Sequence, residues 1–144
     1  MVRQAEKSDI SELLRMSELF FNASGYVEIT TFNKADSEKL LINLIELGTL
    51  LIDDKGGMIG FVIFPMFMNN STVMAQELFW WVDEDIRGSK TGIQLLKAAE
   101  KIAKESGASV MNMLSLEDLN GEKVSKLYQR LGYKRKEQSY MRVL

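Results

Sequence analysis

The amino-acid sequence predicts a mixed α/β fold, because stretches of helical apolar spacing alternate with runs of β-branched and aromatic residues. A strand, helix and strand follow one another late in the chain, and such a crossover pairs its strands in parallel. The 144 residues are 46% hydrophobic and 26% charged, with no Pro/Gly/Ser-rich linker, charge block or internal repeat to divide them. One domain spanning 1–144 is expected.

Val2 to Ala5 reads as a short extended start. Ser8 or Asp9 caps a first helix, on which Ile10, Leu13, Leu14, Phe20 and Phe21 recur at helical spacing until Gly25 ends it. A second helix is expected from Asp36 to about Leu47, with Leu40, Leu41, Leu44, Ile45 and Leu47 inward and Gly48 closing it. Strands follow at Thr49 to Asp53, Met58 to Met68 and Thr72 to Asp83, joined by the turns Lys55-Gly56-Gly57 and Asn69-Asn70-Ser71 into an antiparallel meander. From Lys90 to Ser106 the period becomes helical again, with Ile93, Leu96, Ala99, Ile102 and Ala103 on one face and Gly107 at the end. Ser109 to Leu114 reads as a strand, Asn120 to Leu131 as a fourth helix, and Gln138 to Leu144 as a closing strand.

Composition removes whole classes of chemistry. The chain has no Cys and no His, which excludes disulfides, Cys/His zinc sites, thiolate nucleophiles and imidazole-based triads. Catalysis is left to carboxylates, Tyr, Lys, hydroxyls and the backbone. Lys and Arg number 18 against 20 Asp and Glu, a net charge of −2, which lacks the basic excess that nucleic acid or anionic membranes attract. The charged opening has no apolar signal core, and the longest apolar stretch, Met58 to Met68, falls short of the roughly 20 residues a membrane helix needs. A cytoplasmic protein is expected.

The segment Val82-Asp83-Glu84-Asp85-Ile86-Arg87-Gly88-Ser89-Lys90-Thr91-Gly92 runs from a strand through a Gly-containing turn into a helix. That arrangement turns free backbone N–H groups and the positive end of a helix dipole toward the turn, as a phosphate site requires; an ordinary strand–helix connection has the same outline. Ser89 stands where a Walker A loop needs Gly, and Arg87 and Gln94 stand where an EF-hand needs ligands. Neither motif is present.

Arg87-Gly88-Ser89-Lys90-Thr91-Gly92 does resemble the coenzyme A loop Q/R-x-x-G-x-G/A of the GNAT N-acetyltransferase superfamily, with Lys90 in place of the middle Gly. Val124-Ser125-Lys126-Leu127-Tyr128-Gln129-Arg130-Leu131-Gly132-Tyr133 is similar to the family's A-x-x-L-Y-x-x-x-G-F signature. The Asn usually found seven residues before that Tyr is matched one position earlier by Asn120, with Gly121 at the family position. The opening Val2 to Ile10 resembles the family's first strand and helix cap. The resemblance implies about seven strands and four helices, a sheet splayed between its fourth and fifth strands, and acetyl-CoA as cosubstrate in the gap, with no metal. It also implies direct acetyl transfer to a primary amine in a ternary complex.

Read physically, Arg87 and Lys90 offer cations to phosphates, and the amides of Gly88, Ser89, Lys90, Thr91 and Gly92 can surround pyrophosphate oxygens. Glu77 is the one acid in the apolar strand Ala75 to Val82; such surroundings raise a carboxyl pKa toward neutrality, which suits a general base, and an exposed or salt-bridged Glu near the strand start is the other reading. Its position resembles that of the family's common base, with Asp83 as competitor. Tyr128 matches the family's general acid or, alternatively, is an inward core residue, and the N–H near Val82 would polarise the thioester carbonyl. Trp80 and Trp81 point to opposite sheet faces and serve either as core or, with Tyr26 and Phe32, as walls of an amine pocket. No motif selects among small-molecule amines and protein amino groups, and a homodimer is among the open oligomeric states. A catalytically silent acyl-CoA- or partner-binding module and a nucleic-acid binder using Phe79-Trp80-Trp81 are the rival readings, the latter opposed by a pI of 5.3.

Overall fold

The computed structural model describes residues 1–144. Five strands and four helices run in the order β1 (Val2–Gln4), α1 (Ile10–Ala23), α2 (Lys34–Leu47), β2 (Leu50–Asp53), β3 (Gly57–Met66), β4 (Asn69–Val82), α3 (Thr91–Glu105), β5 (Val110–Asn112) and α4 (Gly121–Arg130). The sheet keeps this order in space, β1 to β4 antiparallel and β5 parallel to β4.

Helices cover both faces. On one side α1 and α2 press Leu13, Met16, Phe20, Leu41 and Leu44 onto Leu50, Ile52, Met58, Phe79 and Trp81. On the other, Leu95, Leu96, Ala99 and Ala103 of α3 meet Leu51, Ile59, Phe61 and Ala75, with Tyr128 of α4 beside them. Every residue of β2 is consequently buried, as expected of a strand sandwiched between two helical layers.

The expected count of about seven strands is corrected to five, and the closing strand Gln138–Leu144 does not form. Its apolar alternation is real, yet a strand also needs a ladder partner, and Tyr140, Met141, Val143 and Leu144 stay exposed. The second helix starts earlier than its expected Asp36, because Asn33 is the cap: its side chain accepts the Asp36 N–H at 2.9 Å. Leu41 and Leu44 form its buried stripe, leaving Leu40 and Leu47 exposed. Ends of the other elements move by a few residues; β4 starts at Asn69, so its hairpin turn is Phe67-Met68 and not Asn69 to Ser71.

β4 contains an irregularity that matters for everything beyond it. Gly60 pairs with Phe79 but Phe61 pairs with Glu77, so Leu78 has no partner residue on β3. Without this bulge Glu77 would share the face of Phe79 and Trp81. With it, Glu77 stands opposite Phe61, on the α3–α4 face. The parallel ladder ends at Gln76↔Asn112, whereas β4 continues to Val82, and the two strands part. Where a splay between the fourth and fifth strands was expected, β5 ends at Asn112 and β4 runs on without a ladder partner on that side.

Gly60 sits at the bulge because nothing larger fits: a Cβ there would meet Phe79 Cζ at 2.5 Å and Leu44 Cδ1 at 3.1 Å. Gly60→Ala is expected to lower stability by about 1–3 kcal/mol through overpacking, measured by urea denaturation.

Candidate active site

The parting of β4 and β5 leaves backbone groups without a ladder. Asp83 N–H donates to Gly56 O on the β3 side at 2.8 Å, so by strict alternation the N–H and C=O of Val82 and Trp80 point away from β3 and into the opening. Arg87 Nε donates to Val82 O at 2.9 Å from that side. A cleft of about 150 Å³ occupies the opening, walled by Glu77, Trp80, Val82, Leu114, Asn120 and Tyr128 among others.

Glu77 and Tyr128 meet through a third residue. Glu77, 4% exposed, accepts the Leu114 N–H on Oε2 at 2.7 Å, and Oε1 has no hydrogen-bond partner within the chain. Burial pushes the Glu77 carboxyl up to about 7, against the opposing pull of the Leu114 N–H. The Tyr128 hydroxyl donates to Leu114 O at 2.7 Å. Burial first, and then the charges of Glu77 and Tyr133, hold the Tyr128 phenol well above its usual range, so it stays protonated. Tyr128 is also packed from both sides, at 5.9 Å from Trp80 in a stacked pair and 5.6 Å from Tyr133, whose hydroxyl donates to Glu100 at 2.5 Å. The expectation that Glu77 is buried in apolar company therefore holds.

The two tryptophans do point to opposite faces. Trp80 lines the cleft on the α4 side, with its Nε1 buried and unpartnered. Trp81 belongs to the α1–α2 core; its Nε1 donates to Asp83 Oδ1 at 2.8 Å, and Arg87 lies 4.6 Å over its ring. Asp83 also accepts from Arg15 at 2.5 Å, which engages the competing base in an ion pair. Tyr26 packs on Phe20 and Phe21, and burial together with the charge of Glu77 raises its phenol pKa. Phe32 packs on Phe21 at the outer end of the same aromatic row.

The Arg87 to Gly92 turn leaves several backbone donors free. The amides of Gly88, Lys90, Gly92 and Ile93 have no acceptor in the chain, and the last two belong to the first turn of α3, where the helix dipole is positive. Gly88 has φ of +88° with open space around its missing side chain. Three side chains have other duties: Arg87 folds back onto Val82 and Trp81, Ser89 Oγ accepts from the Thr91 N–H at 3.3 Å, and Thr91 is buried against the sheet. Gly92 packs under Trp80, since a Cβ would lie 3.3 Å from that ring. Asn120 lines the cleft as the N-cap of α4 in the left-handed region, with φ of 51°. No cluster of three or more His, Cys, Asp or Glu is placed to hold a metal ion, and no helix is long and apolar enough to cross a membrane.

Residues 46–135, well over half of the chain, match the family model described as an acetyltransferase (GNAT) domain. The chain belongs to the GNAT acetyltransferase family. No curated protein matches it in sequence. Among solved structures, this GNAT chain is similar to the aminoglycoside acetyltransferase AAC(6')-Iy in complex with the bisubstrate analogue CoA-S-monomethyl-acetylneamine, at 15% identity and a TM-score of 0.76, over 99% of this chain and 95% of the other. An aminoglycoside acetyltransferase from an uncultured soil metagenomic sample aligns at 14% identity and a TM-score of 0.71, over 100% and 97% of the chains. A transcriptional regulator from Bacillus halodurans C-125 aligns at 16% identity and a TM-score of 0.75, over 100% and 99%. At such identities the likeness shows the GNAT fold.

Leu114, the backbone partner of Glu77 and Tyr128, and Asn112, whose side chain bonds Gln76 at the neighbouring ladder rung, were not legible in the sequence of this GNAT chain. Leu114 acts through its backbone, which leaves no trace in side-chain pattern. Asn112 had a signal, a polar residue in the otherwise apolar run Val110 to Leu114, the same kind of oddity that singles out Glu77.

Burial of Glu77 has a sign that stability measurements can read. Its carboxyl protonates near 7 when folded and near 4.5 when unfolded, so its contribution is fully present below 4.5 and is lost as pH rises through 7. Glu77→Gln is therefore expected to raise the melting temperature relative to wild type at pH 8, and the advantage should vanish at pH 4.

Proposed function

We propose that this chain is a single-domain N-acetyltransferase that moves an acetyl group from acetyl-CoA to a primary amine by direct attack in a ternary complex. The observation that carries the reading is the convergence of the Glu77 carboxyl and the Tyr128 hydroxyl on the cleft where β4 and β5 part, beside the free amides of the α3 turn. Acetyl-CoA supplies the activated acyl group as a thioester. The amides of Gly88, Lys90 and Gly92 would hold its phosphates with Lys90 as cation, while Ser89 and Thr91 shape the turn and Asn120 closes the cleft at α4. Arg87 contributes by closing the turn onto Val82 and by its charge in the cleft wall.

The Val82 N–H, which faces the opening, polarises the acyl carbonyl. Glu77 takes the proton that the attacking nitrogen must lose; its free Oε1 is the receiving atom, and a carboxyl poised near 7 changes protonation state in the working range. Tyr128 gives a hydrogen bond to the leaving sulfur after releasing Leu114 O. Its raised pKa makes it a persistent donor rather than a strong acid. Trp80 walls the amine side of the cleft, whereas Tyr26 and Phe32, expected beside it, pack on Phe21 outside the cleft lining. Trp81 supports the site from the core. Small-molecule amines suit the narrow cleft better than a protein chain.

Two measurements test this reading. Acetyl-CoA at about 100 times its dissociation constant should stabilise the protein by about 2.7 kcal/mol. Lys90→Glu should weaken binding at least about tenfold, a loss of about 1.4 kcal/mol, with unchanged melting of the free protein because Lys90 is exposed. An undiminished shift would remove the turn from the site.

With an accepted amine, kcat should rise with pH up to about 7 and then level, following the Glu77 carboxylate. Glu77→Gln should remove that limb and lower kcat at least about 100-fold. Tyr128→Phe should lower kcat roughly 10- to 1,000-fold with little change in acetyl-CoA affinity. Wild-type turnover in both variants, or no CoA release with any amine, would favour a silent binding module.

A further inference from the structure

The last rung of the parallel ladder carries a side-chain pair. Asn112 Nδ2 donates to Gln76 Oε1 at 2.6 Å, and Gln76 Nε2 donates to the carbonyl of Glu77 at 3.0 Å. Two residues beyond Asn112, the Leu114 N–H reaches Glu77 Oε2 at 2.7 Å. The contacts close into a ring: Gln76 and Glu77 are adjacent on β4, and Asn112 and Leu114 flank one residue at the exit of β5. No backbone rung beyond Gln76↔Asn112 fixes how far that exit stands from β4. The amide pair does so instead.

A strand interior favours Val, Ile or Thr at a half-buried position, and Asn is disfavoured there, so strand formation does not account for residue 112. A half-buried Asn paired at 2.6 Å with a half-buried Gln satisfies both side chains, whereas losing either one leaves polar groups without partners at the mouth of the opening. We infer that Asn112 is a positioning residue: through Gln76 it holds the Leu114 N–H on the Glu77 carboxylate and so fixes where that carboxylate sits in the cleft. This rests on Glu77 being the base for its consequence in turnover, but not for its consequence in the free protein.

An N–H donor favours the charged form of a carboxyl, and the Leu114 N–H is the contact that opposes burial at Glu77. The groups facing Glu77 are Tyr128 and Tyr133 from α4 and its exit and Tyr26 from the α1–α2 loop, all held neutral by raised pKa values, with Arg87 as the constant cation in the cleft wall.

The test uses the free full-length protein labelled with 13C at the glutamate carboxyls, with the Glu77 signal assigned by its absence in Glu77→Gln. In Asn112→Leu the Glu77 titration should move up from about 7, by about one pH unit, the size of a charge-assisted hydrogen bond. Gln76→Leu should move it likewise, and the exchanged pair Gln76→Asn with Asn112→Gln should bring it back. With acetyl-CoA and an accepted amine, the acid limb of kcat should move in parallel while the KM for acetyl-CoA stays within about twofold. A titration unmoved in folded Asn112→Leu and Gln76→Leu overturns the proposal, as does failure of both variants to fold, which would assign the pair to closing the sheet. A titration that moves while the kcat limb stays fixed leaves Asn112 in its positioning role and removes Glu77 as base.

Discussion

The extra residue at Leu78 governs where the chemistry of this chain sits. A regular β4 would keep Glu77 on the α1–α2 face with Phe79 and Trp81; the bulge turns it to the face of Tyr128. The strand also changes course there, within two residues of the last β4–β5 rung, so the same irregularity that re-aims the carboxyl coincides with the opening beside it. Gly60, across from the bulge, has no room for a side chain, which ties the local backbone of two strands to the packing of Phe79 and Leu44.

Opening a parallel sheet exposes backbone polar groups that a closed ladder would satisfy. This chain meets that demand with side chains. Glu77 accepts the Leu114 N–H, the Tyr128 hydroxyl donates a hydrogen bond to Leu114 O, and Arg87 donates to Val82 O. The proposed base and acid thus double as the sheet's missing ladder partners. Their elevated pKa values have a common cause in the burial that this substitution requires. A polar network of this kind is stable because its members are paired; on the cleft wall the indole Nε1 of Trp80 and the Oε1 of Glu77 are left without partners in the chain.

Much of this was legible in the residues. Periodicity located all four helices, Glu77 stood out as a lone acid in an apolar strand, and Tyr128 was singled out through the family resemblance. What escaped had physical reasons. Leu40 and Leu47 carry the same apolar signal as Leu41 and Leu44, and only the docking angle of α2 separates them. Gln138–Leu144 alternates like a strand, but pairing depends on a neighbour that periodicity does not reveal. The bulge at Leu78 follows from register against β3, and the role of Leu114 lies in its backbone; neither is encoded in the type of one side chain. Thr91 and Gly92 fit a ligand-binding turn in sequence, yet each also serves packing, Thr91 against the sheet and Gly92 beneath Trp80.

β3 and β4 are joined by a tight hairpin and paired over most of their length, a sequence-local unit that closes with little loss of chain entropy. β5 adds a three-residue strand, and α4 reaches the body mainly through Tyr128 and its aromatic neighbours. Native-state amide exchange should therefore be graded, slowest in the hairpin and fastest in α4 and the exit of β5. The cleft lies on the boundary between these two regimes: Glu77 rides on the slow-exchanging partner and Tyr128 on the fast one, so a local excursion of α4 would separate them without unfolding the sheet.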